Sequence, residues 1–372
     1  MTAAIGGMTV ELCVREEEFE GLAAPWGRLY RACHAATPFQ SHAWLSSWWQ
    51  SYGTRGRLRV LLVRDGGELV AAAPLMRARG PLPVLTPLGG AISDFTDVLL
   101  DETVAGDGLR ALTEGLAGLA RGALLDFREV RPGGCVERVY ARWHGPRHVV
   151  DDSPCLELPP LPMEELLARL PTPRAQRTRA KLRKLAKLGV ESRVVLAEDV
   201  PESLETLLRL HQLQWEGRKV TTEHLRPRFR EHLIRSVRPM VAAGEAVVTE
   251  FHLDGEVMAA DLTLLSGGLA GGYLYGAHPL LRERKADVAT MLLDACTRHT
   301  AGERPRTLSL LRGTEPYKHH WRPDPVVNRR YLLARTGTAP LLAAAAASAA
   351  GRRWGKRLLD ARRERRGDAA PE

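Results

Sequence analysis

The sequence predicts an α+β fold in two related domains, each a mixed, mainly antiparallel sheet flanked by helices. Three observations predict it. At 372 residues the chain is longer than one core usually serves, because single cores stop growing near about 250 residues. Two stretches, VLLVRDGGELVAAAPL at 60–75 and VTEFHLDGEVMAADLTL at 248–264, each run as an apolar strand, an Asp-Gly turn, a glutamate and a second apolar strand. Helical stretches precede both hairpins and a further helix and apolar strand follow them, so the order of elements repeats as well as the motif.

In the first half, helices are expected at 17–33 and 42–52. The hairpin follows, its Asp-Gly supplying the positive φ that a tight turn needs. Strands near Val84 and Val98, a helix at 105–120 and a strand at 123–127 complete the set. In the second half, helices at 201–217 and 226–241 lead into strands at 246–253, 256–265 and 269–275, a helix at 286–300, and strands at 307–311 and 326–333. The run SPCLELPPLP at 153–162 reads as the boundary between halves, since domains part where proline-rich polar chain carries few contacts. The expected division is a first domain at 1–152, a linker with a basic helix at 153–190, a second domain at 191–336 and an Ala/Arg-rich helical tail at 337–372.

Composition narrows the class. Hydrophobic residues at 44% and charged residues at 26% are ordinary for a globular chain. Ala339 to Ala350 is mostly alanine and falls short of the roughly 20 apolar residues that span a bilayer. The N-terminal MTAAIGGMTVELCVREEEF has neither a basic n-region nor an apolar h-region, so a cytoplasmic address is expected. The five cysteines (Cys13, Cys33, Cys135, Cys155, Cys296) are scattered without a C-x-x-C pair and read as reduced thiols.

The net charge of +9 is concentrated. Residues 174–187 hold seven cations (Arg174, Arg177, Arg179, Lys181, Arg183, Lys184, Lys187) and no acid, with Leu182, Leu185 and Ala186 at helical spacing and Gly189 as terminator. This amphipathic basic helix reads either as a phosphate or RNA contact or as a solvated face against an acidic body. A second basic segment at 351–367 reads as a solvated tail.

Motifs for a zinc protease, an α/β-hydrolase, a P-loop or a Rossmann fold are absent. The glycine-rich run at 267–276 reads as a turn and a strand that something approaches closely, and adjacent His319 and His320 have no spaced partner for a metal. Asp261 stands mid-strand among apolar neighbours, which suits either a general base with a raised pKa or a structural hydrogen bond. The densest constellation is LSLLRGTEPYKHHW at 308–321, where a strand ends in Arg312, Gly313, Glu315, Tyr317 and Lys318. Arg282, Arg284 and Lys285 precede a helix whose N-terminus attracts phosphate. Trp44, Trp48 and Trp215 read mainly as core, with an acceptor pocket as the other role.

PFQSHAWLSSWW (38–49), the basic helix, LHQLQWEGR (210–218) and above all RGTEPYKHHW (312–321) together resemble the CelD-like branch of GNAT-fold acetyltransferases, associated with cellulose biosynthesis. The resemblance implies a GNAT-like fold in each half and a donor site in the second. It implies that acetyl-CoA or another acyl-CoA is the donor and that an amine of a small molecule or sugar is the acceptor, with no metal. Asp261 and Glu315 would be bases and Tyr275 and Tyr317 proton donors, with Lys318 beside them; Arg282, Arg284, Lys285, Ala286, Arg312 and Gly313 would hold the donor. The family's phosphate loop carries glycines where this chain reads Arg282 to Asp287 without one. Acyl-CoA stays the first reading, but that departure raises a second resemblance, to Fem-type double-GNAT aminoacyltransferases, which implies an aminoacyl-tRNA donor held by Arg174, Arg177, Arg179, Lys181, Arg183 and Lys184. A non-catalytic accessory protein of polysaccharide synthesis is the third reading.

Overall fold

The computed structural model of the chain describes residues 2–5, 7–214, 221–300 and 305–351. Trp215 and all of the basic tail beyond Gly351 lie outside the described residues. The first half runs β1 (Thr2–Ile5), β2 (Met8–Cys13), α1 (Glu16–Glu20), α2 (Ala23–Ala32), α3 (His42–Tyr52), β3 (Leu58–Asp65), β4 (Glu68–Arg77), β5 (Val84–Pro87), β6 (Leu99–Leu100), α4 (Ala105–Leu119), β7 (Leu124–Val130), α5 (Cys135–Ala141) and β8 (Arg147–Leu158). Then come α6 (Met163–Ala168) and the basic helix α7 (Thr172–Lys187). The second half runs β9 (Glu191–Val194), α8 (Val200–Gln214), α9 (Pro227–Ala242), β10 (Ala246–Leu253), β11 (Glu256–Leu265), β12 (Leu269–Ala277), α10 (Pro279–Glu283), α11 (Val288–Thr297), β13 (Thr307–Arg312) and β14 (Asp324–Leu333).

Both hairpins form, with a refinement in the first. Asp65 pairs with Glu68 and Leu253 with Glu256, so each turn holds two residues. Gly66 and Gly67, not Asp65, occupy the first turn at φ 54° and 92°, while Asp254 and Gly255 occupy the second at φ 55° and 85°. Two consecutive left-handed residues give the turn whose twist matches the strands. The helix expected at 17–33 is two, α1 and α2, separated at Gly21 and Leu22.

All the strands join one sheet in the order β1-β2-β3-β4-β5-β7-β14-β8-β13-β12-β11-β10-β9, with β6 on β4. From either edge inward the order repeats: β2-β3-β4-β5-β7 matches β9-β10-β11-β12-β13. Within each half the pairing is antiparallel until β5 meets β7, or β12 meets β13, in parallel. At the centre the closing strands are exchanged. β8 ends the first half yet pairs with β13, β14 ends the second yet pairs with β7, and the two lie antiparallel between them. Arg330 of β14 donates to both carboxylate oxygens of Asp126 on β7, at 2.6 and 2.8 Å, and seals the exchange with a buried ion pair.

This corrects the expected boundary: an edge between residues 152 and 153 would cut β8, and Ser153 to Leu158 are strand rather than linker. Proline seldom enters a central strand because it cannot donate to the ladder. Pro154 is accommodated opposite Val327, where the register of β14 shifts, and its carbonyl accepts from the Gly313 N–H at 3.0 Å.

Helices cover both faces. In the second half, Ala260, Leu262 and Leu264 of β11 share one core with Leu204, Leu207 and Phe229 of α8 and α9, while Ala259 joins Met291, Leu292 and Ala295 of α11 in another. The period-2 alternation of a strand produces this division and sends Asp261 to the α11 face. The corresponding helices α3 and α9 pack on each other across the halves: the Trp44 and His232 rings lie 4.5 Å apart, and Ser47 Oγ donates to the His232 carbonyl at 2.9 Å. Among the described residues no helix is long and apolar enough to cross a membrane.

Candidate active site

β12 and β13 pair only from Leu269 to Gly271 with Thr307 to Ser309, then part. Leu311 at φ 60° and Gly313 at φ 104° turn the end of β13 toward the first half. Gly271 stands at the divergence, where a Cβ would lie 2.8 Å from Leu311 Cδ2. Beyond it β12 has no strand partner on this side, and α8 takes up part of the edge: the Tyr275 carbonyl lies 2.7 Å from His211 Nδ1 and the Ala277 N–H donates to Gln214 Oε1 at 3.1 Å.

Two spaces flank the opening. On the α11 side a narrow, mainly apolar slot of about 100 Å³ lies between Ala289, Leu292, Leu293 and Cys296 of α11 and Leu308, Leu310 and Trp321. On the other side a polar cavity of about 550 Å³ opens between the halves, with Trp48, Tyr52 and Asp94 from the first and Glu223, His224, Arg228 and Tyr273 from the second. Gly272, Tyr275, Leu310, Tyr317 and Lys318 border both.

Asp261 sits in the wall of the slot, 3% exposed. Desolvation lifts its pKa to about 6, against the Thr263 hydroxyl, which donates to Oδ2 at 2.7 Å, and the Cys296 thiol at 3.8 Å. Oδ1 accepts no hydrogen bond among the described residues. Asp261 pairs with Tyr275 on β12. At the matching place in the first hairpin, five residues after the glutamate that leaves the turn, stands buried Ala73. Only the second half therefore carries a carboxylate here.

Lys318 is 5% exposed and opens a short 3-10 turn, Lys318–Trp321. Its Nζ donates to the Arg312 carbonyl at 2.8 Å and lies 2.7 Å from Glu315 Oε2. Glu315 faces the larger cavity, and Gly313 leaves it room, since a Cβ there would meet its carboxylate at 2.5 Å. Tyr317 stands 56% exposed at the junction of the two spaces, its pKa raised to about 12 by partial desolvation and then by Glu315.

The structure thus brings Asp261, Tyr275, Tyr317, Lys318 and Glu315 together. Arg312 is different: its guanidinium donates to Asp94 at 2.6 Å, Glu129 at 3.3 Å and the Ala91 carbonyl at 2.9 Å. It ties the second half to the first, and its charge is spent on carboxylates rather than left for a donor. Arg282, Arg284, Lys285 and Ala286 border neither space. Arg284 pairs with Asp254 at 3.0 Å, and Lys285 takes φ 55° in the turn before α11.

The N-terminus of α11 already holds an anion. The Asp287 carboxylate accepts from the Thr290 N–H at 2.9 Å and pairs with Lys181 of α7 at 2.7 Å. Burial opposes its charge, but Lys181 and the helix N–H outweigh burial and hold its pKa below the ordinary value. α7 is held beside the slot by Arg174, which donates to the His320 carbonyl at 3.3 Å, and by Thr178 Oγ1, 3.3 Å from His320 Nε2. Arg179 pairs with Glu164, whereas Arg177, Arg183 and Lys184 have no partner among the described residues.

The sequence reading did not single out Asp94, Glu223, His224 or Arg228. Arg228 donates to both oxygens of Glu223, at 2.6 and 2.7 Å, and its guanidinium lies 4.9 Å over the Tyr52 ring. Trp48 and Tyr52 stack with centroids 5.6 Å apart, so Trp48 borders the cavity whereas Trp44 is core. Desolvation and then His211 lower His224 to about 4, so its ring is neutral at physiological pH. No group of three or more His, Cys, Asp or Glu able to hold a metal occurs among the described residues.

Residues 173–319 match the family described as an acetyltransferase (GNAT) domain. The chain is similar in structure to FemX, at 10% identity over 89% of this chain and 99% of that one, with a TM-score of 0.57. It is likewise similar to L-PGS from Bacillus licheniformis (10% identity, 91% and 97% covered, TM-score 0.53). A conserved protein of unknown function from Bacteroides thetaiotaomicron gives 14% identity, 88% and 100% covered, and a TM-score of 0.53. At such identities the likeness shows the fold alone; the GNAT-domain match lies in the second half, whose strand order the first half repeats. No curated protein matches the chain.

Proposed function

We propose that the chain is an N-acyltransferase whose donor enters the opening between β12 and β13 and whose amine acceptor occupies the cavity between the halves. One observation carries this reading: an apolar slot and a polar cavity meet at a single wall, Tyr275, Tyr317 and Lys318, with a pKa-shifted carboxylate beside it. Direct transfer needs two substrates that approach one point from separate sides. The slot suits an acyl group and the gap where β12 and β13 part a thioester, so acyl-CoA is the donor proposed first.

In this reading the amine lone pair attacks the thioester carbonyl and a C–N bond forms. Asp261 takes the proton from the resulting ammonium, and Glu315 is the other carboxylate within the same group. Hydrogen-bond donors at the junction stabilise the oxyanion. As the C–S bond breaks, Tyr317 or Tyr275 supplies a proton to the departing thiolate. Lys318 holds the Arg312 and Gly313 carbonyls and so positions the loop that carries Glu315 and Tyr317.

A second reading has its own support. Asp287 and Lys181 already fill the helix N-terminus at which a CoA pyrophosphate would be received, and α7 presents unpaired cations beside it. This favours an aminoacyl-tRNA donor, as in Fem-type enzymes, with the ester oxygen of the tRNA as leaving group. Thermal unfolding with CoA, acetyl-CoA and bulk tRNA at low and moderate salt separates the readings. Stabilisation by CoA thioesters supports the first; stabilisation by tRNA alone, weakened by salt, supports the second. No response to either ligand and no acyl transfer would leave a non-catalytic accessory protein of polysaccharide synthesis.

A further inference from the structure

Five arginines cluster at the end of the first hairpin remote from its turn. Arg55, Arg57 and Arg59 lead into and begin β3, and Arg77 and Arg79 end and follow β4. The Arg77 N–H donates to the Arg57 carbonyl at 2.8 Å, which fixes the two segments side by side. Arg55, Arg57 and Arg77 line a recess of about 290 Å³ closed by Gly80 and the Pro81 to Val84 loop.

No carboxylate answers this charge. Between Gly53 and Pro87 the acids are Asp65 and Glu68, which flank the turn at the opposite end of the hairpin. None of the five arginines forms an ion pair among the described residues. Arg57, Arg59 and Arg79 give hydrogen bonds to carbonyls and a hydroxyl, which carry no net charge. Arg55 and Arg77 have no side-chain partner among the described residues. Burial, and after it the charge of Arg77, depress the pKa of Arg59. Like charges so placed destabilise the fold unless an anion joins them, and arginine's planar fork matches phosphate oxygens.

We propose that this recess binds a phosphate or diphosphate group, with Arg55, Arg57 and Arg77 as its ligands. The site is separate from the opening between β12 and β13 and does not depend on the acyl-transfer reading. Tyr52 links it to the cavity between the halves: its carbonyl lies 3.4 Å from Arg79 Nη2, while its ring borders the cavity.

The test is calorimetric titration of the full-length protein with sodium pyrophosphate, alongside Arg55→Ser/Arg77→Ser and, as a control on the other basic surface, Arg183→Ser/Lys187→Ser. The first double variant is expected to weaken binding by at least about tenfold with an unchanged circular dichroism melt, and the second to bind as the parent does. Flotation with vesicles of phosphatidylglycerol in phosphatidylcholine separates the sources of phosphate. Flotation that Arg55→Ser/Arg77→Ser abolishes assigns a lipid headgroup, and calorimetric binding without flotation assigns a soluble ligand. Absence of pyrophosphate binding by the parent, equal binding by the recess variant, or loss only in the α7 variant overturns the proposal.

Discussion

Asp261 carries the sharpest predictions at the scale of single residues. Its folded pKa of about 6 lies above the ordinary carboxylate value because it is desolvated. As a base it must be ionised, so the transfer rate is expected to rise as pH climbs through about 6 and then level off. Asp261→Asn is expected to lower the rate by about a hundredfold or more and to remove that rise. Stability runs the other way. Between the unfolded pKa near 4 and the folded value the native state binds a proton that the unfolded chain lacks, so stability falls as pH rises through this window. The full penalty, on the order of 3 kcal/mol, stands above pH 6, and Asp261→Asn is expected to raise the melting temperature at pH 8 more than at pH 4. A rate profile flat from pH 5 to 8 (about three units around the shifted value) would contradict the base role. Asp261 was legible as a carboxylate between apolar neighbours in a strand, and Lys318 as part of a dense polar run. The role of Arg312 was not, because its partners Asp94 and Glu129 lie 218 and 183 residues away along the chain. Glu223 and Arg228 escaped notice for a similar reason: five residues apart, they read as a surface pair, and only the approach of Tyr52 from the other half makes them a cavity wall.

Among the elements, α7 and α11 are where the two proposed donors part. Asp287→Ser keeps a capping hydroxyl for the Thr290 N–H but removes the charge that Lys181 meets. If CoA delivers the acyl group, its pyrophosphate gains the vacated helix end, and thermal stabilisation by CoA is expected to increase over the parent. An unchanged CoA response, with binding of tRNA lost on substitution of Arg177, Arg183 and Lys184, would locate donor binding on α7 instead. Helices and hairpins were the readable part of this chain. The basic helix expected at 174–187 is α7 with two more residues at its start, because its apolar residues recur at helical spacing. β8 was unreadable: its Pro154 and its acids Asp151 and Asp152 imitate a loop, and only the two strands that flank it supply a reason to be extended.

For the molecule as a whole, the exchange of β8 and β14 makes each half a condition for the other. Removing residues from 322 onward takes away β14, and is expected to unfold the first half with the second, seen as a common loss of circular dichroism and tryptophan fluorescence. Survival of a folded first half would show the exchange to be dispensable. Arg330→Met leaves buried Asp126 with only the longer pair to Arg128, at 3.5 Å, and is expected to cost about 2–3 kcal/mol in a urea titration. The repeated order of strands was visible from two hairpins, whereas the exchange was not, since strand order in a sheet leaves no periodicity in the sequence. It also sets a timetable for biosynthesis. The ribosome completes β7 about 200 residues before its neighbour β14 emerges, a wait of roughly 10–40 s at common elongation rates. Throughout that interval β7, paired with β5 on one side, presents its other edge open, the kind of edge that recruits other chains.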